Sequence, residues 1–349
     1  MDAEPNPAAR VNDPAPAVTE PSDDSAGPAP HGLHHVTAIA TDPQRNVDFY
    51  TTVLGLRLVK TTVNFDDPGT YHLYYGDEAG RPSTILTFFP WRDVPPGRQG
   101  TGLTTATAFG VPPGSLGWWQ QHLGTLGVDA DPPRDRTIGG DDEEVLTLRD
   151  PDGLVVDLVA SPGDTRSGWD GVAAVPAEHA VRGLHSVTLT ERLLDPTAAM
   201  LTDLLGMDAE GGGARSRFGM HGDRPGSLLD VAATTDADQG LQAGGTVHHI
   251  AFRAPDRDTQ ERWRQHLVDA GLNVTAILDR QYFTSIYFRE PGGVLFEIAT
   301  DQPGFDVDEP LLELGRHLKL PPWLEPDREQ IRRSLPPLRV GDEIVAGTG

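Results

Sequence analysis

The chain is built from a repeat. "GLHHVTAIATDPQRNVDFYTTVLGLRLV", starting at Gly32, aligns without a gap with "GLHSVTLTERLLDPTAAMLTDLLGMDAE", starting at Gly183, at an offset of 151 residues. A second pair joins "WWQQHLGTLGVDAD" from Trp118 to "RWRQHLVDAGLNVT" from Arg262, followed by "RDPDGLVVDLVA" from Arg149 and "REPGGVLFEIAT" from Arg289. Repetition of this length limits the fold severely, because every copy must form the same supersecondary unit and bury its apolar face against its neighbours. Each copy opens with a strand and runs into an amphipathic helix such as "PQRNVDFYTTVLG", which Gly55 stops. It closes with about three strands, the last two joined by a Pro-Gly type turn. The expectation is an α+β protein of four βαβββ modules.

The composition narrows what such a chain can do. Its formal charge is -24, from 52 Asp and Glu against 28 Lys and Arg, and its only lysines are Lys60 and Lys319. That surface repels phosphate backbones and anionic lipid, which argues against nucleic-acid and membrane partners. An acidic, lysine-poor coat also suits a halophilic setting, where salt screens self-repulsion. The absence of cysteine removes disulfides, thiolate metal sites and cysteine nucleophiles. With no apolar run long enough to span a bilayer and no basic, apolar leader, a soluble cytoplasmic protein is expected. Residues 1–30, rich in Pro, Ala and acidic side chains without periodicity, read as a disordered tail.

Within the repeat, two strands carry adjacent histidines: His34 and His35 in the first module, His248 and His249 in the fourth. His35 precedes Asp42 by the same spacing that separates His249 from Asp256, each aspartate beginning the turn into a helix, so the two are equivalent. Strand alternation is expected to send His34 and His248 to the opposite face. In module three His185 matches His34 and Ser186 matches His35, while module two has Ala106 at that position. Glu297 stands alone among apolar residues in "GGVLFEIAT", where an unpaired charge would be costly to desolvate. Asp157 is its counterpart in module two and Thr87 in module one.

This arrangement, with the phrases "HHVT", "DFYTTVLGLRLVKTTVNFDDPGTYHLYYGD" and "DPDG", resembles the vicinal oxygen chelate superfamily of glyoxalases, bleomycin-resistance proteins and extradiol dioxygenases, and within it the ring-cleaving hydroquinone-type dioxygenases. The resemblance covers residues 31–325. It implies paired modules whose mixed sheets curl into cups around a divalent metal, with ligands on first and last strands. The corresponding division is an N-terminal domain of modules one and two over 31–165, a linker over 166–180, a C-terminal domain of modules three and four over 181–302, and an extension over 303–349. The implied metal ligands are His35, His249 and Glu297, a set suited to Fe(II), and to Mn(II) equally, with coordination positions left open. His185 is the rival for the first ligand, at the cost of a one-residue slip in strand phase.

The resemblance further implies roles for Arg280, Tyr287 and His34 around the metal, and His248 is a candidate to orient a ligand. His72 reads as a packed strand histidine whose phrase could line the cup, and His122 and His266 recur on helices as surface or packing residues. The expected activity is Fe(II)-dependent insertion of O₂ into a hydroquinone or catechol-like aromatic. The alternatives are a glyoxalase-like lyase or isomerase, which Thr87 at the fourth ligand place disfavours, and a metal-free drug-binding protein. A homo-oligomer remains open. The Pro-Pro-Trp turn of the extension is expected over the cup or against a partner subunit.

Overall fold

The computed structural model describes residues 29–346, apart from 173, 213–214, 222–225 and 342. The expected tail therefore lies almost wholly outside the described residues. Module one comprises β1 (Leu33–Ala40), α1 (Pro43–Asp48), β2 (Arg57–Asn64), β3 (Asp67–Gly76) and β4 (Ile85–Pro90). Module two follows with β5 (Leu103–Val111), α2 (Leu116–Thr125), β6 (Arg134–Ile138), β7 (Asp141–Arg149) and β8 (Val155–Ala160). Module three holds β9 (Gly183–Glu191), α3 (Leu194–Ala199), β10 (Asp208–Glu210), β11 (Arg215–Gly219) and β12 (Leu228–Ala233). Module four holds β13 (Val247–Ala254), α4 (Arg257–Asp269), β14 (Leu278–Asp279), β15 (Thr284–Arg289) and β16 (Leu295–Thr300). All four copies keep the order strand, helix, three strands.

Asp42 caps α1 by accepting from the Arg45 amide, and Asp256 caps α4 through the Thr259 amide, so the aspartates used to align the modules do the same local job. After α1 the chain makes a π-helical turn over Phe49–Val53 and leaves through Gly55 at φ +68°, a left-handed backbone that favours glycine. His122 on α2 and His266 on α4 sit at matched places: their Nε2 atoms lie 3.0 Å from the carbonyls of Val53 and Leu204, holding paired helices together.

The strands form two eight-stranded sheets, ordered β14-β15-β16-β13-β1-β4-β3-β2 and β10-β11-β12-β9-β5-β8-β7-β6. Each sheet is thus made from one module of each chain half: one with four, two with three. Grouping modules by chain order, one with two and three with four, does not describe the hydrogen-bonded sheets. The reason is geometric: β1 and β13 join antiparallel at the centre of one sheet, β5 and β9 at the centre of the other, and each pair relates its modules by an approximate two-fold.

Those central pairings are irregular at four related places. In β1 the register skips His34, with Leu33 opposite Phe252 and His35 opposite Ala251; in β13 it skips His248. In the other sheet Thr105 and His185 are skipped in the same way. Each is a β-bulge, which places two residues opposite one and re-aims the side chains.

The extension, which continues through α5 (Arg328–Ser334), β17 (Leu338–Val340) and β18 (Glu343–Ala346), runs along the outer edge of β2. The Lys319 amide donates to the Thr61 carbonyl and Thr62 Oγ1 to the Lys319 carbonyl, occupying an edge that would otherwise offer free backbone groups. Lys60, fully buried, donates to Asp308 at 2.6 Å and Glu309 at 2.7 Å, an ion cluster that ties the extension to the strand.

Candidate metal centre and its cavity

His35, His249 and Glu297 come from three adjacent strands, β1, β13 and β16, and their ligand atoms lie within 4.8 Å of one another. His249 Nε2 is 2.9 Å from Glu297 Oε2, His35 Nε2 is 3.4 Å from that same oxygen, and the two Nε2 atoms are 3.3 Å apart. All three side chains are buried. Glu297 Oε1 accepts from Ser285 Oγ at 2.5 Å, whereas Oε2 is buried without a well-formed hydrogen bond. Two imidazole nitrogens and one carboxylate oxygen thus converge on one point with no polar group between them. Like-natured acceptors crowded in this way fit a divalent cation, and the N,N,O set suits Fe(II) or Mn(II).

The bulges set each preceding histidine against its ligand neighbour. Strict alternation would turn His34 and His248 away; instead His34 Nδ1 lies 2.9 Å from His35 Nδ1 and His248 Nδ1 2.7 Å from His249 Nδ1. If the ligand imidazole keeps its proton on Nδ1 and donates it to its neighbour, its Nε2 lone pair faces the metal point. His34 suits the acceptor role because burial, with His35 beside it, holds its pKa well below the usual imidazole value, and the Thr300 carbonyl takes its other proton. Burial, helped by His249, brings His248 down to about 3. Burial alone would raise Glu297, but the imidazoles of His35 and His249 overcome it and hold the carboxyl well below its usual range. Burial also lowers His249, against the pull of Glu297.

Above the three ligands opens a cavity of about 390 Å³, within the ~300–1,000 Å³ range of small-molecule pockets. Phe89, Trp91, Phe283, Tyr74 and Phe65 form much of its wall. Arg280 and Tyr287 both face it, the guanidinium lying 5.4 Å from the Tyr287 ring centre and 3.0 Å from Asp66 at the rim. Burial and the charge of Glu297 push the Tyr287 hydroxyl up, so it remains a proton-bearing donor. Across the cavity, His72 Nε2 lies 2.8 Å from Thr87 Oγ1, which is itself 2.8 Å from Thr37 Oγ1, and the Tyr74 hydroxyl lies 2.8 Å from His72 Nδ1. Thr87, at the fourth ligand place, is therefore committed to neighbouring side chains. Trp323 of the Pro-Pro-Trp turn packs edge-on at 5.6 Å against Phe65, which sets the turn beside the cavity mouth.

His185 lies in the other sheet, 3.5 Å from Glu143, and does not join this cluster. Ser285, Tyr74, Phe283 and Thr37 were not singled out in the sequence. Their signal was period-two polarity: Ser285 with Tyr287, and His72 with Tyr74, lie two apart on strands that face the cup.

Comparison with known proteins agrees with this fold. The model of the Glyoxalase/Bleomycin resistance protein/Dioxygenase superfamily matches residues 32–158 and 183–298. The chain is 42% identical over 310 residues to "Putative ring-cleaving dioxygenase MhqO" of Bacillus subtilis, covering 88% of this chain and 97% of that one. It is 35% identical over 314 residues to the chlorohydroquinone/hydroquinone 1,2-dioxygenase of Sphingobium indicum, covering 87% and 95%. The crystal structure of a "putative dioxygenase" from Bacillus subtilis superposes with a TM-score of 0.84 at 40% identity, over 91% of this chain and all of that one. The repeat, the cups and these likenesses make the chain a member of the glyoxalase, bleomycin-resistance and dioxygenase superfamily.

Proposed function

We propose that this protein is an Fe(II)-dependent ring-cleaving dioxygenase acting on a hydroquinone or catechol-like aromatic. The observation that carries the reading is the convergence of His35, His249 and Glu297 at the base of an aromatic-walled cavity, with Glu297 Oε2 left unsatisfied. The ion, when bound, would bring a phenolic oxygen and O₂ together and let ring electrons reach oxygen. Mn(II) fits the same donors.

The chain's own residues have separable tasks. Phe89, Trp91 and Phe283 hold a flat ring and keep water away from it. His248, neutral and in the cavity wall, accepts from His249 Nδ1 and holds that ring with its Nε2 towards the ion's place. Arg280 and the protonated Tyr287 face the negative charge that develops on substrate oxygen. His34 fixes the His35 tautomer. A glyoxalase-like reaction would need a further carboxylate, and Thr87 with its two hydrogen-bonded neighbours offers none. The acidic, lysine-poor coat supports a cytoplasmic enzyme of a salt-rich cell.

The test is oxygen consumption by protein loaded anaerobically with Fe(II), with hydroquinone and catechol offered separately. Stoichiometric O₂ uptake with a ring-opened product is expected. Turnover of an aldehyde–thiol adduct without O₂, or drug binding alone, would replace this reading.

A further inference from the structure

The repeat builds one junction twice, and the second copy lacks its cation. In the first copy, the turn over residues 150–153 of module two meets the end of β1. There Asp152 accepts from the Thr41 amide at 3.1 Å, the Thr41 hydroxyl at 2.5 Å and the Arg45 guanidinium at 2.5 Å. In the second copy, the turn over residues 290–293 of module four has the same backbone bonds: Glu290 N to Val294 O and Gly293 N to Glu290 O match Asp150 N to Leu154 O and Gly153 N to Asp150 O. It meets the end of β9, where Gly292 replaces Asp152, Pro196 replaces Arg45 and Glu191 replaces Ala40.

The carboxylate has changed strands without leaving the junction. A Cβ at Gly292 would stand 1.9 Å from Glu191 Oε2, so the Glu191 side chain fills the space used by Asp152 in the sister copy. Glu191 is only 3% exposed, and its Oε1 has no hydrogen-bond partner. It borders a cavity of about 330 Å³ lined also by Thr101, Arg192, Pro196, Thr197 and Gln239. Burial, with Glu290 nearby, raises the Glu191 pKa to about 8. The exposed Arg192 points its guanidinium to the Thr235 carbonyl at 3.5 Å. An unpartnered buried carboxylate is costly, and a guanidinium fork is the group whose planar donors match it best.

We propose that this cavity binds a guanidinium-type cation, which takes Glu191 as Arg45 takes Asp152. The cation can be a free small molecule or an arginine side chain of another chain; both present the same fork.

The test is calorimetric titration of the full-length protein with methylguanidinium, and in parallel with a capped arginine amide. Saturable one-to-one binding is expected, weakened about tenfold or more in Glu191→Gln. Pro196→Arg recreates the sister junction, so it should abolish binding and raise Tm by a few degrees. Tighter binding of the arginine amide would identify a protein side chain as the source, and equal binding a free cation. Absence of saturable binding, equal binding by Pro196→Arg, or equal competition by Ca²⁺ would overturn the proposal. The Pro196→Arg arm keeps the test decisive should Glu191→Gln fail to fold.

Discussion

The two cups are built on one plan and filled in opposite ways. Register makes their positions comparable: Glu297 pairs with Ala251 and Tyr287 as Asp157 pairs with Ala108 and Thr147, and Thr87 pairs with Thr37 and Tyr74 as Asp230 pairs with Thr188 and Arg217. The second cup therefore has carboxylates at both last-strand places but no imidazole where His35 and His249 stand in the first, only Ser186 and Ala106. Arginines take up the charge. Arg217, fully buried, donates to Asp230 at 2.8 and 3.1 Å and to Glu143 at 2.6 Å; Arg136 donates to Glu143 at 2.8 Å and to Asp157 at 2.6 Å. A buried charge must find a counter-charge. In one cup the protein supplies its own, and in the other it leaves a nitrogen- and oxygen-lined point for an ion from outside.

The comparison can be broken from either side. Glu297→Gln should abolish Fe(II) retention and lower oxygen uptake by on the order of 10³-fold or more, since the ion contributes several kcal/mol of charge stabilisation. Asp157→Asn, the same change in the second cup, should leave the metal content intact; metal analysis beside an oxygen electrode reads both. Arg217→Ala should cost about 3–5 kcal/mol in urea denaturation, because it removes both hydrogen bonds that Arg217 donates to buried Asp230 and leaves Glu143 with Arg136 as its remaining guanidinium partner, while the iron bound per folded molecule stays unchanged.

A smaller effect separates the bulge histidines. His34→Ala should weaken metal affinity about 10–100-fold by freeing the His35 ring, measured by competition with a chelator. His185→Ala, at the matching bulge of the other cup, should not. The smallest effect is a slope. Burial lowers His185 to about 4, against the pull of Glu143, so between pH 6.5 and 4 the unfolded chain takes up a proton that the native chain refuses. Stability therefore falls as pH falls through that window. Denaturation midpoints of His185→Asn should show a shallower fall than those of the metal-free parent.

Much of the candidate site is legible in the sequence. The shared spacing to Asp42 and Asp256 put His35 and His249 at one position, and Glu297 stood out as the lone charge in an apolar strand. The bulges were not legible, because nothing local marks the residue a ladder will skip, so strict alternation did not predict the contacts of His34 with His35 and of His248 with His249. The pairing of the sheets was only half legible. A shared site requires modules one and four to meet, yet chain order suggested neighbours in sequence as partners. The buried network of Arg136, Arg217, Asp230 and Glu143 reads in sequence as ordinary polar strand residues, since opposite charges far apart in the chain reveal no contact.

Periodicity and repetition act over short stretches, so the amino-acid order by itself determined the module, its number of copies and the equivalence of positions within each. Which copies share a sheet, which neighbour each histidine turns towards, and which carboxylate finds an arginine depend on contacts between residues hundreds apart, and only the assembled chain decided them. The physical reason is that a charge is stabilised or stranded by what lies within a few ångströms of it, and that distance is set by packing.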